Sequence, residues 1–338
     1  MRLRRSVVAL TAVLGLALVS ACNNGDPKGT DDGLQKVSYL TSFGQFGREA
    51  YAYVALDKGY FKEAGFDVKI TPGNGTVEVM KQVAGGQADY GIGDFTAIAI
   101  TLGKQKLPVT TVGMIHQRSM AALMTLEGNG ITKPEDLIGK SIGDQPGSTN
   151  QVMFPVWAQA VHIDPDKVHF IPSPPPALPT LLSTKKVDAI GQFVVGKPLV
   201  EKADKEGRKA IVLPYGEALP QLYGNAILTR SDVAKDHPDQ VKKFTAALLK
   251  GLADANKDPA AAAETLKKYV PTTDVAVATE ELKLMQPYTV STGTPVPLGA
   301  VDTERVQKVL DTLSDANALA KGALKPADVV TVDLAPKS

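Results

Sequence analysis

Residues 37–98 alternate between short apolar runs and segments of helical spacing, and this alternation constrains the fold more than any other feature. Gly65 suits the left-handed position that ends a helix, and Thr76 suits the cap that begins one. Two consecutive strand–helix–strand units of this length predict parallel strands in a right-handed α/β layer. The predicted strands are Val37–Leu40, Val68–Thr71 and Tyr90–Ile92, and the predicted helices are Arg48–Ala64 and Val77–Gln87.

The turns after these strands are the first candidates for a binding site, because open α/β sheets bind small ligands outside the carboxyl ends of their strands. Phe43 and Phe46 can stack on a planar ligand, although at least one of them is expected in the core. Asp94 can accept hydrogen bonds from ligand amino groups, or it can cap the helix that follows it. The candidate residues in the first turn are Ser42, Phe43, Gln45 and Phe46, and the other two turns are Gly73–Thr76 and Gly93–Asp94.

The rest of the chain repeats the alternation and then becomes helical. A strand at Val109–Gln117 is predicted to continue into Ala121–Leu126 through a hinge near Arg118–Met120, and the chain returns at Leu222–Leu228 with a second hinge near Tyr223–Ala226. Between the hinges, strands are predicted at Ser141–Asp144, Lys167–Ile171 and Val187–Val194, with helices at 146–161 and Leu178–Thr184. Four helices follow the return, at Pro238–Ala253, Ala260–Tyr269, Val275–Gln286 and Asp302–Ala320.

About 300 residues follow the N-terminal segment, which is more than one hydrophobic core usually supports. We therefore predict an α/β protein of two lobes, each built on a parallel sheet, joined by two hinge strands and completed by the helical C-terminal segment. Residues 36–118 and 225–338 would form lobe I, and residues 119–224 would form lobe II.

A second group of candidate site residues lies in lobe II and near the hinges. The helix start at Gly147-Ser148-Thr149-Asn150 offers free N–H groups and a positive dipole end to an anion, although Ser148 can instead only cap its own helix. His116 lies late in the hinge strand and is either near the cleft floor or a structural histidine. Thr149 and Asn150 are candidates as part of this helix start. Gln192 and Phe193 end a lobe II strand and would form the opposite wall, and the Tyr223 hydroxyl lies beside the return hinge.

The N-terminus predicts export and lipid attachment. Three arginines precede the apolar run Val7–Leu18, which is too short to span a bilayer, and small residues lead to Cys22. Residues 1–22 are therefore interpreted as a lipoprotein signal with Cys22 as the lipidated residue, and residues 23–35 as a flexible tether. The alternative is a plain signal peptide with a chance cysteine. Cys22 is the only cysteine, so no intrachain disulfide is expected.

Composition and motifs narrow the function classes. Removal of the signal takes away three arginines and changes the formal charge from +1 to −2, which leaves no basic field for nucleic acid. The sequence has no metal-ligand spacing, phosphate loop, nucleophile elbow or Cys-His pair. We therefore expect no cofactor, no metal site and no catalytic site, and we expect a monomer.

The segments LDKGYFKEAGFDVKITPG (56–73) and GGQADYGIGD (85–94) resemble the start of ABC-importer solute-binding proteins for nitrate, sulfonates, taurine and thiamine pyrimidine precursors. The similarity extends from about Lys36 to at least Tyr223. It implies a periplasmic-binding-protein fold of type II, a small ligand held between two lobes, and permease and ATPase subunits as partners. Together with the lipoprotein signal that ends at Cys22, the resemblance implies an extracytoplasmic protein attached to the bacterial membrane by lipid.

The resemblance leaves two ligand classes and one enzyme alternative open. The aromatic candidates with Asp94 and Gln192 favour a thiamine pyrimidine precursor or a similar heterocycle, whereas the helix start at Ser148 favours a sulfonate, taurine or nitrate. Basic residues are scarce at the predicted strand ends, which disfavours an anion. The fungal-type pyrimidine synthase shares this fold, but that family is intracellular and carries a CCCFC motif, and this chain has one cysteine and an export signal.

Overall fold

Two five-stranded sheets form the framework of the computed structural model, which describes residues 33–291 and 295–337. The strands are β1 (Gln35–Leu40), β2 (Phe43–Gly44), β3 (Phe66–Thr71), β4 (Gly73–Asn74), β5 (Tyr90–Asp94), β6 (Val109–Met114), β7 (Ala121–Leu126), β8 (Ser141–Asp144), β9 (His169–Pro172), β10 (Ala189–Phe193), β11 (Ala210–Pro214) and β12 (Asn225–Arg230). Sheet A has the order β3-β1-β5-β12-β6, and sheet B has the order β11-β7-β10-β8-β9. The predicted signal segment and Cys22 lie outside the described residues.

Helices connect and cover the strands. They are α1 (Ala50–Asp57), α2 (Tyr60–Glu63), α3 (Thr76–Ala84), α4 (Phe95–Lys104), α5 (Thr149–Ala160), α6 (Leu178–Ser183), α7 (Lys197–Ala203), α8 (Tyr215–Ala218), α9 (Ser231–Asp236), α10 (Pro238–Lys257), α11 (Pro259–Tyr269), α12 (Val275–Met285), α13 (Thr303–Asp315) and α14 (Pro326–Val329). Across the described part of the chain, no helix combines the length and the hydropathy that a membrane crossing needs.

Each sheet is mixed, so the prediction of wholly parallel sheets was wrong. In sheet A, β1 is parallel to β3 and β5, as predicted, but β12 is antiparallel to β5 and β6. In sheet B, β8 is parallel to β9 and β10, but β7 is antiparallel to β10 and β11. The antiparallel pairing of β7 and β12 follows from the path of the chain. Each of these strands enters its sheet directly from the other sheet, and no crossover helix brings the chain back to the edge where a parallel strand would begin.

Two short connections join the sheets. Residues 115–120 lead from β6 to β7, and residues 215–224 lead from β11 to β12. We call these connections the crossovers. Side A is the part of the chain around sheet A (residues 35–114, 225–291 and 295–337), and side B is residues 121–214. The helices after the second crossover belong to side A, where Phe244 of α10 stacks on Tyr90 of β5 with ring centres 3.7 Å apart.

Two local predictions at the start of side A were wrong. The helix predicted for Arg48–Ala64 is divided into a 3₁₀ turn at Gly47–Glu49 followed by α1 and α2, with the break at Gly59, whose φ is +75°. A left-handed residue cannot continue an α-helix, and only glycine adopts that conformation without steric cost. Thr76 is not the cap of α3 but its first residue, and its hydroxyl accepts a hydrogen bond from the Asp94 N–H at 3.1 Å.

Candidate functional site

Arg48 of side A lies against side B, and its side chain is 1% exposed. Its guanidinium carbon is 4.7 Å from the centres of the Phe46 and Phe193 rings and 5.9 Å from that of Phe43. Phe43 begins β2 and Phe46 follows that short strand, whereas Phe193 ends β10 of sheet B. The three phenylalanines predicted as ligand-stacking residues are therefore brought together, and they surround a cation that the sequence analysis did not name.

Glu49 is the first carboxylate beside Arg48. Its Oε1 lies 3.9 Å from the Arg48 Nε and accepts a hydrogen bond from the Ser42 hydroxyl at 2.5 Å. Its Oε2 accepts a hydrogen bond from the Tyr51 hydroxyl at 3.3 Å. Burial raises the pKa of Glu49, and the charge of Arg48 opposes part of that rise. Ser42, a predicted site residue, thus contacts this cluster through Glu49.

Glu281 of α12 is the second buried carboxylate of the cluster. Its Oε2 accepts the Gly47 N–H at 2.5 Å, and its Oε1 has no hydrogen-bond partner among the described residues. A Cβ on Gly47 would lie 2.6 Å from the Ala278 carbonyl oxygen, so only glycine allows α12 to approach the turn this closely. Burial raises the pKa of Glu281 to about 7, although Arg48 acts in the opposite direction.

The guanidinium of Arg48 and the carboxylates of Glu49 and Glu281 therefore share one buried region, which we call the Arg48 cluster. The expectation that basic residues are scarce at the strand ends needs correction, because Arg48 lies among the predicted site residues. Its charge is nevertheless offset by Glu49 and Glu281, so it adds no surplus positive charge to the site.

The sequence carried signals for these three residues. Arg48 and Glu49 immediately precede Ala50–Ala55, a stretch that is buried on every side and offers no solvent-facing surface for charges. Glu281 follows Ala278 by three residues and precedes Met285 by four, so it lies on the buried face of α12. A charged residue on the apolar face of an amphipathic helix is unusual enough to mark a candidate site.

Side A and side B also meet at the N-terminal ends of α3 and α5. The Thr76 and Thr149 hydroxyls are 2.9 Å apart, and the Val77 N–H points to the Gly147 carbonyl oxygen at 3.5 Å. The Ser148 hydroxyl accepts the Gln151 N–H at 3.1 Å and therefore caps α5, as predicted, and its role as a ligand residue, which is compatible with the cap, stays a prediction. Thr149, a predicted ligand residue, pairs with side A in this structure.

Two buried carboxylates lie beside these helix ends. The Asp94 Oδ1 accepts the N–H groups of Thr96 and Ala97 at 2.9 and 3.2 Å, so Asp94 caps α4, as its capping alternative predicted. Its Oδ2 has no partner in the described part of the chain. Asp144 accepts the Ser148 hydroxyl at 2.5 Å. Burial raises the pKa of both aspartates to about 7.

Three predicted site residues form side-chain hydrogen bonds to residues of their own side. They are Asn150, Gln192 and Gln45. The Asn150 Oδ1 accepts the Ala122 N–H at 3.1 Å, and the Gln192 Oε1 accepts the N–H of its neighbour Phe193 at 2.8 Å. Gln45 donates to the Tyr53 hydroxyl. Asn150 and Gln192 therefore hold the backbone of side B. The predicted ligand contact of Asn150 and the predicted wall position of Gln192 stay predictions.

His116 and Tyr223 lie in the crossovers. The His116 Nδ1 accepts the Asn225 N–H at 3.3 Å, and burial, with a smaller effect of the Arg48 charge, lowers the pKa of His116 to about 3. Tyr223 points away from the Arg48 cluster, since its hydroxyl accepts the Asp302 N–H at 3.2 Å and its ring lies 3.9 Å from the Arg305 guanidinium carbon. These contacts make Tyr223 part of the crossover packing.

A cleft of about 220 Å³ opens beside the Arg48 cluster. One wall is the turn after β1, a second is α12 with the loop that precedes it, and a third is α7 of side B. Its rim is bridged by the ion pair between Lys202 of α7 and Asp274. The lining residues that bear on the site are Gln45, Phe46, Gly47, Leu199, Thr273 and Glu281.

The chain is similar to both an enzyme and binding proteins. It is 24% identical over 245 residues, 70% of this chain and 69% of its relative, to a Schizosaccharomyces pombe protein named 4-amino-5-hydroxymethyl-2-methylpyrimidine phosphate synthase. It is 22% identical over 167 residues to the formylaminopyrimidine-binding protein of Halalkalibacterium halodurans, and the match spans 49% of this chain and half of that protein.

The fold is that of the periplasmic binding proteins, which confirms the predicted fold class. The alkanesulfonate-binding protein SsuA of Xanthomonas axonopodis pv. citri, solved with bound MOPS, superposes with a TM-score of 0.65 at 15% identity, over 90% of this chain and 99% of that chain. The family model described as NMT1/THI5 like matches residues 48–262, more than half of the chain, and the protein therefore belongs to the NMT1/THI5-like family.

Proposed function

We propose that the protein is an extracytoplasmic substrate-binding lipoprotein of an ABC importer, which holds a small solute between side A and side B. The observation that carries the proposal is the Arg48 cluster, in which Arg48 and Glu49 of side A and Phe193 of side B are buried against one another. Charged side chains are seldom fully buried unless they are paired, and groups with perturbed pKa values cluster at functional sites. The fold shared with solute-binding proteins supports this role.

Movement about the crossovers would give the ligand access. We propose that side A and side B are the two lobes, with hinges near residues 118–120 and 223–226. An open form would separate Phe193 from Arg48, and a ligand that binds both lobes would shift the equilibrium toward the closed form. The export segment and Cys22 would keep the carrier at the outer face of the membrane, beside its permease.

A planar heterocycle that carries an amino group is the ligand that the chemistry favours. Phe43, Phe46 and Phe193 can stack on a planar ring. The carboxylates of Glu49 and Glu281 can accept hydrogen bonds from amino groups, and they would repel a sulfonate or nitrate. A thiamine pyrimidine precursor fits these properties, and the similarity to a formylaminopyrimidine-binding protein supports the choice.

An anionic ligand is the second candidate, because the α5 N-terminus with Ser148 and Thr149 lies at the junction of the two sides. The fold of the alkanesulfonate-binding protein supports this candidate only at the level of architecture.

A role as a pyrimidine synthase is the third alternative, in view of the S. pombe relative. The cysteine-rich motif that the resemblance attributes to that enzyme family is missing, because the single cysteine of this sequence is Cys22. We propose that the protein is a carrier and not an enzyme.

A thermal-shift screen tests the function and the ligand class together. The purified protein is heated with aminopyrimidines in one set of samples and with taurine, alkanesulfonates and nitrate in another. A ligand that binds only the folded protein raises the Tm. We expect a rise with an aminopyrimidine. A rise only with the anions would favour the second candidate, and consumption of an aminopyrimidine or its formation from added substrates would contradict the carrier role.

A further inference from the structure

The cleft beside the Arg48 cluster contains a polar group that the fold leaves without a partner. Glu281 is 1% exposed and lines the cleft, and its Oε1 accepts no hydrogen bond from the residues described. An unpartnered polar oxygen in a buried position costs free energy unless another group donates to it. The other oxygen of the same carboxyl is already used, because it accepts the Gly47 N–H at 2.5 Å.

The surroundings of Glu281 suit a small planar molecule. Phe46 lines the same cleft and presents an aromatic ring, and Leu199 contributes an apolar wall from side B. The Thr273 hydroxyl, which also lines the cleft, is buried without a partner in the described part of the chain. At about 220 Å³ the cleft is smaller than the ~300–1,000 Å³ of typical ligand pockets, so it accepts one small ring system and excludes a nucleotide.

We propose that this cleft is the ligand-binding subsite of the carrier and that Glu281 determines its specificity by accepting a hydrogen bond from an N–H group of the ligand. The inference rests on the proposed function and deepens it, because it moves the specificity-determining contact from Asp94, where the sequence placed it, to α12. The ligand class is a small planar heterocycle with an amino group. Arg48 is held near Glu281 and Glu49, so the amino group meets a carboxylate and not a free cation.

One matched pair of variants and a third variant separate this role from a merely structural one. In Glu281→Gln the amide oxygen can still accept the Gly47 N–H, but an NH₂ group replaces Oε1 and can no longer accept from a ligand amino group. Glu280→Gln is the matched control, since Glu280 is one residue away on the same helix, is exposed and pairs with Lys283 at 2.8 Å. Leu199→Trp fills the cleft from side B and leaves residue 281 unchanged.

The probes are 4-amino-5-hydroxymethyl-2-methylpyrimidine and the same pyrimidine without its 4-amino group, each titrated by calorimetry into the purified protein. We expect the unmodified protein and Glu280→Gln to bind the amino form about ten- to a hundredfold more tightly, as for a hydrogen bond to a charged group. In Glu281→Gln this preference disappears, and in Leu199→Trp both probes lose affinity. Thermal unfolding without ligand checks that each variant folds.

Other results overturn the inference in distinguishable ways. If the amino form binds but Glu281→Gln keeps the full preference, or if Leu199→Trp binds both probes normally, the subsite is wrong while the proposed carrier function stands. If neither pyrimidine binds and an alkanesulfonate does, the proposed ligand class fails and the inference fails with it.

Discussion

The guanidinium carbon of Arg48 lies 4.7 Å from the centre of the Phe193 ring, although the two residues belong to parts of the chain built on different sheets. Arg48 is placed by the turn after β1 and Phe193 by the end of β10. Their contact exists only while side A and side B are together. In the proposed carrier, a planar ligand that enters between the sides would compete with this cation–π contact.

Because Arg48 offsets the charges of Glu49 and Glu281, the effect of removing it on the free energy of unfolding is expected to depend on pH. We expect Arg48→Met to lower the free energy of unfolding by about 3–5 kcal/mol at pH 8, because it leaves Glu49 and Glu281 buried without their cation. Burial already raises the pKa of both carboxyls, so they hold protons in the folded protein at pH values where the unfolded chain has lost them. Below about pH 4 both states are protonated and the added penalty disappears.

Urea unfolding of Arg48→Met at pH 8 and at pH 3.5 measures this difference. Arg230→Met is the control, because Arg230 forms an exposed pair with Asp232 and its loss is expected to change stability by less than about 1 kcal/mol. Equal destabilisation by Arg48→Met at the two pH values would show that the two carboxylates do not depend on Arg48.

Gly147 tests the contact between the ends of α3 and α5. Its φ is +74°, and a Cβ added there would lie 3.2 Å from the Val77 Cβ across the junction. We expect Gly147→Ala to weaken ligand binding about tenfold, because the methyl group hinders closure in addition to straining the backbone. Gly139 has nearly the same φ, +77°, and nothing within 4 Å of its added Cβ, so Gly139→Ala reports the backbone strain alone.

The comparison is made by titrating the ligand identified in the thermal-shift screen into both variants. A loss of affinity confined to Gly147→Ala places the effect at the junction. Similar affinities for the two variants would mean that Gly147 and Val77 do not approach one another when the ligand is bound.

The local pattern predicted most elements of the fold but not the direction of all strands. The strand at Ser141–Asp144 has the predicted bounds, and α10 to α13 begin within one residue of their predicted starts. β11 (Ala210–Pro214) was not predicted, although Ile211 and Val212 are typical of strands. The sequence around it shows no alternation of extended and helical segments that would have marked it as a strand. The antiparallel entry of β7 and β12 depends on the path between the sheets, about which local periodicity carries no information.

The candidate site was predictable where it depends on strand ends, and unpredictable where it depends on packing between distant segments. Phe43, Phe46 and Phe193 all end or follow strands, and the fold brings them together. Tyr223 follows the same rule but is held elsewhere by Arg305. The partnership of Arg48 with Glu281 arises only when α12 packs on Gly47, a contact between residues that are far apart in the chain.

Asp94 is expected to affect stability in opposite directions according to its replacement. Burial raises the pKa of Asp94 to about 7, so its protonated form stabilises the folded protein at low pH. That contribution is fully present below about pH 4, the ordinary range of an aspartate, and is lost as the pH rises through 7. Asp94→Asn keeps an oxygen that caps α4 and removes the titration, so its stability should fall less between pH 4 and pH 8.

Asp94→Ala removes the acceptor of the Thr96 and Ala97 N–H groups, and we expect it to cost about 1–2 kcal/mol at pH 4, where the charge plays no part. Tm values of the two variants and the unmodified protein across pH 4–8 provide the measurement. A pH dependence that Asp94→Asn leaves unchanged would contradict the assigned titration.

Arg305 holds both crossovers with one guanidinium group. It donates to the carbonyl oxygens of Gln117 at 2.6 Å, Leu222 at 3.1 Å and Gln221 at 2.9 Å, so it connects the first crossover to the second. A lysine has a single ammonium group and cannot reproduce this planar arrangement of donors. We expect Arg305→Lys to lower the free energy of unfolding by about 2 kcal/mol.

The more specific effect of Arg305→Lys should be local. Because the carbonyl groups of the crossovers lose their shared partner, we expect faster hydrogen–deuterium exchange of backbone amides in residues 115–120 and 215–224 than in sheets A and B. Lys308→Met is the control, since Lys308 is an exposed residue of the same helix, α13. If exchange accelerates uniformly, Arg305 contributes only to global stability. If it accelerates in the crossovers alone, Arg305 restrains the segments about which the two sides would have to move to admit a ligand.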